Sequence, residues 1–281
     1  MIIDAHHHLW SYDSVQYDWI GPDMAVIARD FGTSDLTDTL DANGVDFSVA
    51  VQARQSEAET RWLLEIARTE PRIAGVVGWV DLEAEDLAAR LDSYASESKL
   101  KGFRHVLQGE PDDAHILRPD FLRGLGTLAE RGYRYDMLVY ERQLPGVLRA
   151  MERLPELPCV IDHIAKPTMN AVPSADWRDR MRAIAANTHA TCKLSGMVTE
   201  ADWQDWRYET FAPYLDVLFE AFGPERLMFG SDWPVCLVAG SYAQAKAIVA
   251  RFIDTYCPNH AHAIWGRTAA EFYGLNVSPS L

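Results

Sequence analysis

The sequence lacks the features of several protein classes. Its 281 residues include only 26 basic side chains against 41 acidic ones, which gives a formal charge of −15 at pH 7. Because an acidic surface repels phosphate backbones, we expect no nucleic-acid partner. No apolar run approaches the roughly 18 residues that a membrane span requires, so we expect no membrane partner. The composition leaves the oligomeric state open, with a homo-oligomer as one option.

Cysteine is also scarce. The four cysteines show no C-x-x-C pairing of the kind that binds zinc. The N-terminus has neither the basic start nor the apolar core of a secretory signal peptide. Cys159 and Cys192 lie in segments predicted to be strands, where a free thiol usually behaves as a small core residue. We therefore predict a cytoplasmic protein with reduced cysteines.

Short apolar segments alternate with amphipathic ones along the whole chain. Eight apolar segments are predicted as strands, at residues 1–8, 45–52, 74–81, 101–106, 133–139, 159–164, 189–195 and 226–232. Eight strand–helix repeats in a chain of this length predict an α/β fold, a closed (β/α)8 barrel formed by a single domain over residues 1–281. An open doubly wound sheet is the alternative, but no G-x-G-x-x-G fingerprint follows the first strand.

Polar residues cluster at the carboxyl ends of the predicted strands, where the active sites of such barrels lie. In chain order they are His6 and His8, Gln52 and Arg54, Asp81, Arg104 and His105, His163, Lys193 and Ser195, and Asp232. The amino ends of the same strands are plainer. This asymmetry indicates an enzyme.

The first strand ends in three consecutive histidines. Side chains alternate along a strand, so His6 and His8 point to one face and His7 to the other. Two imidazoles on one face can hold a metal ion or a substrate oxygen. The alternative is an expression tag or a polar edge. A tag normally has a longer run and a linker, whereas Leu9 and Trp10 follow at once.

Four of these residues can converge over the barrel mouth, because strands 1 and 8 become neighbours on closure. They are His6, His8, His163 and Asp232. Three imidazoles and a carboxylate suit one zinc ion or a similar divalent metal. They also suit a metal-free hydrolase, in which Asp232 takes a proton from water and the imidazoles polarise a carbonyl. A buried structural histidine at His163 and a turn carboxylate at Asp232 are the simpler interpretations.

At most one metal ion is expected. A binuclear site in such a barrel usually needs a bridging carboxylated lysine or a glutamate. Lys101 lies at the start of strand 4, at the wrong end of the barrel, and Lys193 on strand 7 faces another part of the mouth.

Further side chains at the mouth are candidates for substrate binding, although rim ion pairs or a subunit contact would also account for them. The candidates are Trp10, Gln52, Arg54, Arg104, His105 and Lys193. Arg104 and His105 are adjacent, so at most one of them faces inward while the chain stays in the sheet. The segments 9–31 and 196–209 are rich in Trp and Tyr, which suits carbohydrate-like or ring substrates.

Five motifs together resemble the amidohydrolase superfamily, specifically its amidohydrolase-2 type. They are IDAHHHLW at 3–10, IDH at 161–163, KLSG at 193–196, FGSDWP at 229–234 and GRTAAEFYGL at 266–275. The combination spans the whole chain and is most similar to the sugar-lactonase branch of the superfamily. That branch includes the L-fucono-, L-rhamnono- and 2-pyrone-4,6-dicarboxylate lactonases.

The resemblance implies a hydrolase that opens a lactone to a hydroxy acid. In that family Asp232 would be the general base on water, and His6, His8 and His163 would bind the carbonyl or one metal ion. Residues 137–140, at the end of strand 5, lack the histidine of the wider superfamily. This departure implies a poorer metal site, so a metal ion is not expected to be strictly required for activity.

The aromatic mouth favours a neutral sugar lactone as the substrate, such as L-fucono-1,5-lactone or a related 6-deoxy or L-sugar lactone. A hydrolase of a pyrone-dicarboxylate lactone is a rival hypothesis, but it would need several cationic side chains for the two carboxylates. A metal-dependent decarboxylase of the same superfamily is a second rival, and a non-catalytic sugar-binding barrel is a third.

Overall fold

The computed structural model describes residues 1–169 and 171–277, and its centre is a sheet of eight parallel strands in chain order. The strands are β1 (Ile3–His7), β2 (Phe47–Val51), β3 (Ile73–Gly78), β4 (Leu100–His105), β5 (Arg134–Met137), β6 (Cys159–Ile161), β7 (Thr191–Leu194) and β8 (Leu227–Phe229). Each lies within or overlaps one of the eight segments predicted from the sequence. The predicted domain boundary at residue 281 lies outside the described residues.

The first and last strands meet through the backbone just beyond their ends. The N–H group of His8 donates to the carbonyl oxygen of Trp233 at 2.7 Å, and the N–H group of Asp232 donates to the carbonyl oxygen of His6 at 2.8 Å. These two bonds join the open edges of the sheet, so the predicted (β/α)8 barrel is confirmed. They also place the ends of β1 and β8 side by side.

Helices separate the strands and cover the outside of the barrel. They are α1 (Thr33–Ala42), α2 (Glu57–Thr69), α3 (Leu87–Asp92), α4 (Pro119–Glu130), α5 (Leu144–Arg153), α6 (Ala175–Asn187), α7 (Tyr208–Phe222), α8 (Tyr242–Tyr256) and α9 (Thr268–Tyr273). Serine caps begin three of them: Ser56, Ser174 and Ser241 each accept a hydrogen bond from a backbone N–H group in the first turn. None of the helices in the described ranges is long and apolar enough to cross a membrane.

Helix α9 closes the barrel at the end opposite the mouth. Seven strand residues form an apolar cluster with Tyr273 and Leu275: Ile3, Ala5, Val49, Val51, Val77, Val160 and Met228. The hydroxyl group of Tyr273 donates to Oδ2 of Asp136 at 2.8 Å, above this apolar layer. A polar layer therefore follows the apolar one along the barrel axis, and the mouth lies above the polar layer.

Candidate active site

The ends of β1 and β8 bring together three of the residues predicted to converge. Nε2 of His6 lies 3.2 Å from Nε2 of His8. Oδ1 of Asp232 lies 3.4 Å from Nε2 of His8 and 3.8 Å from Nε2 of His6. All three side chains are buried. The alternation predicted for the histidine run therefore holds for His6 and His8, which share one face of the strand.

His163 reaches the same cluster because the backbone after β6 turns into the left-handed region. The four residues His163, Ile164, Ala165 and Lys166 have φ values of 52°, 50°, 63° and 44°. Left-handed backbone costs about 1–2 kcal/mol for each non-glycine residue, so surrounding structure must hold this turn in place. Its effect is to direct His163 across the mouth, where Nε2 lies 3.9 Å from Oδ1 of Asp232.

Asp232 is also directed by left-handed backbone, with a φ of 58°. The preceding turn is held by the buried Asp4, which accepts hydrogen bonds from N and Oγ of Ser231, from N of His6 and from the hydroxyl group of Tyr242. Burial raises the pKa of Asp4 to about 6, despite the opposing effect of these donors. Strain concentrated at two converging residues is typical of a functional site.

A buried ionic network forms the floor below the histidines. Nζ of Lys193 lies 2.5 Å from Oδ2 of Asp136, 2.8 Å from Oδ1 of Asp162 and 3.1 Å from Nδ1 of His6. Nη1 of Arg104 donates to Oδ2 of Asp162 at 3.0 Å and lies 3.2 Å from Nε2 of His6. Each of these charged groups contacts a group of opposite charge, because an unpaired charge is too costly to bury. The network fixes the ring of His6.

The hydrogen bonds indicate which ring nitrogens carry protons. Nδ1 of His8 lies 2.8 Å from the carbonyl oxygen of Val51, which can only accept, so Nδ1 carries the proton and Nε2 presents a lone pair to the cluster. Burial lowers the pKa of His8 and, together with Lys193, lowers the pKa of His6 far below the ordinary value. Burial lowers the pKa of His163 to about 3. All three imidazoles are therefore neutral at pH 7.

Asp232 is the charged member of the cluster. Burial alone would raise the pKa of its carboxyl group, but the neighbouring His163, His8 and Lys166 side chains outweigh burial and hold the pKa below its ordinary value. An ionised carboxylate therefore lies among three neutral imidazoles. This combination can accept a proton from a water molecule beside a polarised carbonyl group.

The same atoms fit one divalent metal ion. Nε2 of His6, Nε2 of His8 and Oδ1 of Asp232 all lie within 4.8 Å of one another. The unprotonated Nε2 of His8 faces the other two donors, and nitrogen with carboxylate oxygen is a donor set that zinc prefers. Oδ1 of Asp162 lies 3.5 Å behind Nδ1 of His6, as is common for the carboxylate behind a ligating histidine. The guanidinium group of Arg104 also lies beside Nε2 of His6, and its positive charge would compete with a metal ion for that nitrogen.

A cavity of about 780 Å³ opens above the cluster. Its floor includes His8, Arg104, His163 and Asp232. Its wall is partly apolar and partly charged, and it includes Trp19, Met24, Arg54, Leu138, Lys166, Glu200 and Trp203. This volume is typical of a site for a small molecule. The cavity therefore gives a small ligand access to Asp232.

Only two of the six predicted substrate-binding residues line this cavity, Arg54 and Arg104. Lys193 is fully buried in the floor network, and Gln52 is fully buried against Arg104, to which its Oε1 accepts at 2.9 Å. Neither side chain lines the cavity, and both support other side chains of the site, so their contact with a substrate stays a prediction. The position of Lys193 on a barrel strand predicts a cation at the mouth, but its two carboxylate partners bury it.

The other two predicted substrate-binding residues also lie away from the cavity. His105 follows the inward Arg104 and points outward, where its Nε2 lies 2.8 Å from Oε1 of Glu110. Trp10 is only 1% exposed, and its ring packs edge-on against Phe31. Their contact with a substrate likewise stays a prediction. Trp19 from the predicted aromatic segments lines the cavity in place of Trp10.

Several residues of the site were not identified from the sequence. Asp162 stands directly before His163, which was a usable signal, whereas Asp136 lies in a strand that has the pattern of ordinary core. Lys166 and Glu200 form an ion pair on the cavity wall, with Nζ 3.2 Å from Oε1. Ser195, noted at the end of its strand, places Oγ 2.9 Å from Nδ1 of His163.

A parallel barrel with a His-x-His pair at the end of β1, a histidine after β6 and an aspartate after β8 defines a metal-capable hydrolase barrel of the amidohydrolase type. The chain belongs to the amidohydrolase family, whose model matches residues 3–275. This match confirms the resemblance found in the motifs.

Two relatives match almost the full length. An L-fucono-1,5-lactonase from Burkholderia multivorans is 44% identical over 286 aligned positions, which cover 97% of this chain and 96% of that protein. An L-fucono-1,5-lactonase from Burkholderia ambifaria is 36% identical, over 98% of this chain and 96% of that protein. The crystal structure of an amidohydrolase from Burkholderia multivorans with bound zinc matches with a TM-score of 0.94 and 44% identity, over 98% of this chain and 99% of that one.

Proposed function

We propose that this protein hydrolyses the ester bond of a sugar lactone and releases the aldonic acid. L-fucono-1,5-lactone, or a related 6-deoxy or L-sugar lactone, is the proposed substrate. The observation that carries the proposal is the ionised Asp232, held among neutral imidazoles on the floor of a cavity of small-molecule size. The two L-fucono-1,5-lactonases that match nearly the whole chain support the same reaction.

In the proposed reaction Asp232 is the general base. Its carboxylate accepts a proton from a water molecule, and the water oxygen attacks the lactone carbonyl carbon. The bond from that carbon to the ring oxygen then breaks, and the proton on Asp232 passes to the leaving oxygen. A carboxylate with a lowered pKa is ionised throughout the neutral range, so it is available as a base without prior deprotonation.

His163 is the proposed donor to the carbonyl oxygen. Oγ of Ser195 lies 2.9 Å from Nδ1 of His163, and a hydrogen bond donated by this hydroxyl group would leave the ring proton on Nε2. Nε2 is the nitrogen that faces Asp232. A proton there can stabilise the negative charge that develops on the carbonyl oxygen as water attacks.

His6 and His8, with Asp232 and with His163 beside them, are the residues that would hold one divalent ion such as zinc. A bound ion of this kind polarises a carbonyl oxygen and lowers the pKa of water. The floor network positions His6 whether or not a metal ion is bound, because Lys193, Asp162 and Arg104 contact its ring from three sides.

The charges of the cavity favour a neutral substrate over a dicarboxylate. Within the described residues, each cation of the lining has an acidic partner: Arg104 pairs with Asp162 at 3.0 Å, Lys166 with Glu200 at 3.2 Å and Arg54 with Glu59 at 3.9 Å. The lining therefore has little uncompensated positive charge with which to hold both carboxylates of a dicarboxylate. Trp19 and Trp203 line the cavity, and aromatic rings of this kind suit the C–H groups of a sugar.

The test is proton release, followed with a pH indicator, across a panel of 1,5- and 1,4-aldonolactones with spontaneous opening subtracted. Rapid turnover of one stereochemical group supports the proposal and identifies the substrate class. No turnover of any lactone by the folded protein would overturn it. Carbon dioxide release from an aromatic carboxylic acid would then favour a decarboxylase.

We propose further that a small molecule is the ligand, with no nucleic-acid or membrane partner, and that the protein acts in the cytoplasm. All four cysteines are free and buried, which supports a reducing compartment. The acidic charge of −15 supports the absence of a nucleic-acid partner.

A further inference from the structure

The wall of the cavity carries an ion pair that the proposed chemistry leaves without a role. Lys166 ends the left-handed turn that begins at His163, and Glu200 lies in the short helical turn Val198–Glu200 after β7. Their side chains are 15% and 19% exposed and line the cavity that contains Asp232. Partial burial removes hydration from both side chains, which costs free energy. Ligand binding is one function that would explain why the pair lies in the cavity despite this cost.

Lys166 differs from the other cations near the site in how fully it is engaged. Arg104 is bound to Asp162, to Gln52 and beside His6, and Lys193 has three partners within 3.1 Å. Within residues 1–169 and 171–277, Lys166 has one ion-pair partner, Glu200. An ammonium group has three donors, so Lys166 keeps donors for a ligand.

The loop that carries Glu200 is held in place independently of the ion pair. Oγ1 of Thr199 donates to the carbonyl oxygen of Gly196 at 2.8 Å, and Nε1 of Trp203 donates to the carbonyl oxygen of Thr199 at 2.9 Å. Glu200 is therefore positioned by backbone and neighbouring side chains. Removing its charge should leave the loop folded, which makes the pair suitable for testing by substitution.

Lactone opening changes the charge of the ligand. A neutral lactone and one water molecule give an aldonic acid, which releases a proton to solvent and leaves an aldonate with one negative charge. That carboxylate forms at the carbonyl carbon next to Asp232, so two like charges share one small cavity and repel each other. Lys166 lines the same cavity as Asp232 and His163, so its positive charge faces this region.

We propose that Lys166 binds the carboxylate group of the aldonate product, and that Glu200 competes for the same ammonium group and so limits how tightly the product is held. This inference rests on the proposed lactonase function. Lys166 offsets the repulsion from Asp232 while the carboxylate forms. When the product leaves, the ammonium group pairs with Glu200 again. This competition keeps product inhibition weak.

The experiment measures the Kd of the aldonate by calorimetry with Lys166→Gln, Lys166→Arg and Glu200→Gln. Lys166→Gln should weaken aldonate binding about tenfold or more, as expected for the loss of a charge-assisted hydrogen bond. Lys166→Arg should restore most of the affinity. Glu200→Gln should tighten binding, because the ammonium group loses its competitor. The KM of the neutral lactone should change much less than the Kd of the aldonate in each variant.

Arg54→Gln is the matched control, because it removes another wall cation of the same charge. It should change the aldonate Kd less than Lys166→Gln does. Equal losses in the two variants, or weaker aldonate binding in both Lys166→Gln and Glu200→Gln, would overturn the inference in favour of a general or structural effect. Lactone turnover by the unaltered protein is measured first: without it the proposed function itself fails, and with it a negative Kd pattern refutes only the role of Lys166.

Discussion

Gly196 and His163 are in such close contact that a Cβ atom on residue 196 would lie 2.5 Å from Nδ1 of the imidazole. The φ of Gly196 is 61°, so a side chain there is strained as well as obstructed. We expect Gly196→Ala to displace the ring of His163 and to lower kcat on the order of 10- to 100-fold, as misplacement by about 1 Å can. Lactone turnover measures the effect.

Gly44→Ala is the control for this substitution. Gly44 also has a φ of 61°, but a Cβ atom there would meet nothing within 4 Å. It should therefore carry a similar backbone strain, about 1–2 kcal/mol, without a change in kcat. A comparable loss of activity in both variants would show that strain, and not displacement of His163, is responsible.

The proposed base is tested by Asp232→Asn. An amide cannot accept the proton of water, so kcat should fall at least about 100-fold. Asp81→Asn is the matched control: Asp81 also follows a strand, but its Oδ1 accepts from the N–H group of Glu83, a bond that asparagine can keep. Its kcat should stay within about threefold of the unaltered protein, by the small effects usual away from the chemistry. Turnover by Asp232→Asn at the original rate would refute the assignment.

The floor network predicts a large stability effect for Lys193→Met. The substitution leaves Asp136 and Asp162 without their shared cation in a fully buried site. The free energy of unfolding should fall by about 3–5 kcal/mol, the usual cost of breaking a buried pair from one side. Urea denaturation measures it.

Arg251→Met gives the surface reference for the same measurement. Arg251 and Glu209 are 57% and 68% exposed, and their nearest charged atoms lie 2.9 Å apart. Loss of an exposed pair should cost about 1 kcal/mol or less. Equal losses for the two variants would mean that the Lys193 network contributes no more than a surface contact.

Zinc binding is expected to depend on one face of the first strand. His8→Gln should weaken zinc binding strongly in equilibrium dialysis, because Nε2 of His8 belongs to the donor set. His7→Gln should leave the affinity nearly unchanged, since His7 lies on the opposite face and outside that set. If the two substitutions weakened zinc binding equally, the ion would have to bind elsewhere. The readout is bound metal, so it does not depend on catalysis.

The raised pKa of the buried Glu59 predicts how the free energy of unfolding changes with pH. Burial raises its pKa to about 7, against the opposing hydrogen bonds from the N–H groups of Arg54 and Ala53. The folded state therefore binds a proton more tightly than the unfolded state, whose glutamate titrates near 4.5. The resulting stabilisation is complete below pH 4.5 and is lost as the pH rises through 7.

Glu59→Gln removes this titration while keeping an acceptor for both N–H groups. The urea midpoint of the unaltered protein should fall between pH 5 and pH 8 relative to that of the variant, by the equivalent of about 3 kcal/mol at most. Parallel pH profiles for the two proteins would mean that Glu59 is ionised throughout.

Much of the fold and part of the site could be predicted from the sequence. Period-two alternation and strand order were enough to place His6, His8 and Asp232 together, because both are local or topological properties. The left-handed turn was not predictable: His163, Ile164, Ala165 and Lys166 contain no glycine or asparagine to signal it. Only the surrounding packing imposes that conformation, and it decides where His163 and Lys166 point.

Long-range pairing explains which side chains are buried, and the sequence alone does not show it. A lysine on a strand normally ends in solvent, so the sequence predicts Lys193 at the mouth, and only the assembled barrel brings Asp136 and Asp162 to it. The burial of Trp10 and Gln52 has a related cause. Their partners, Phe31 and Arg104, are distant in the chain, and burial depends on where those partners lie.

The backbone bonds that join His8 to Trp233 and Asp232 to His6 place the donor set at the junction of the first and last strands. The residues that must cooperate are separated by more than 220 positions and meet only when the last strand docks against the first. A growing or partly folded chain can therefore hold seven strands and still have no base beside its histidines. Hydrolytic competence thus requires the closed ring, and its recovery after denaturation would report that the first and last strands have joined.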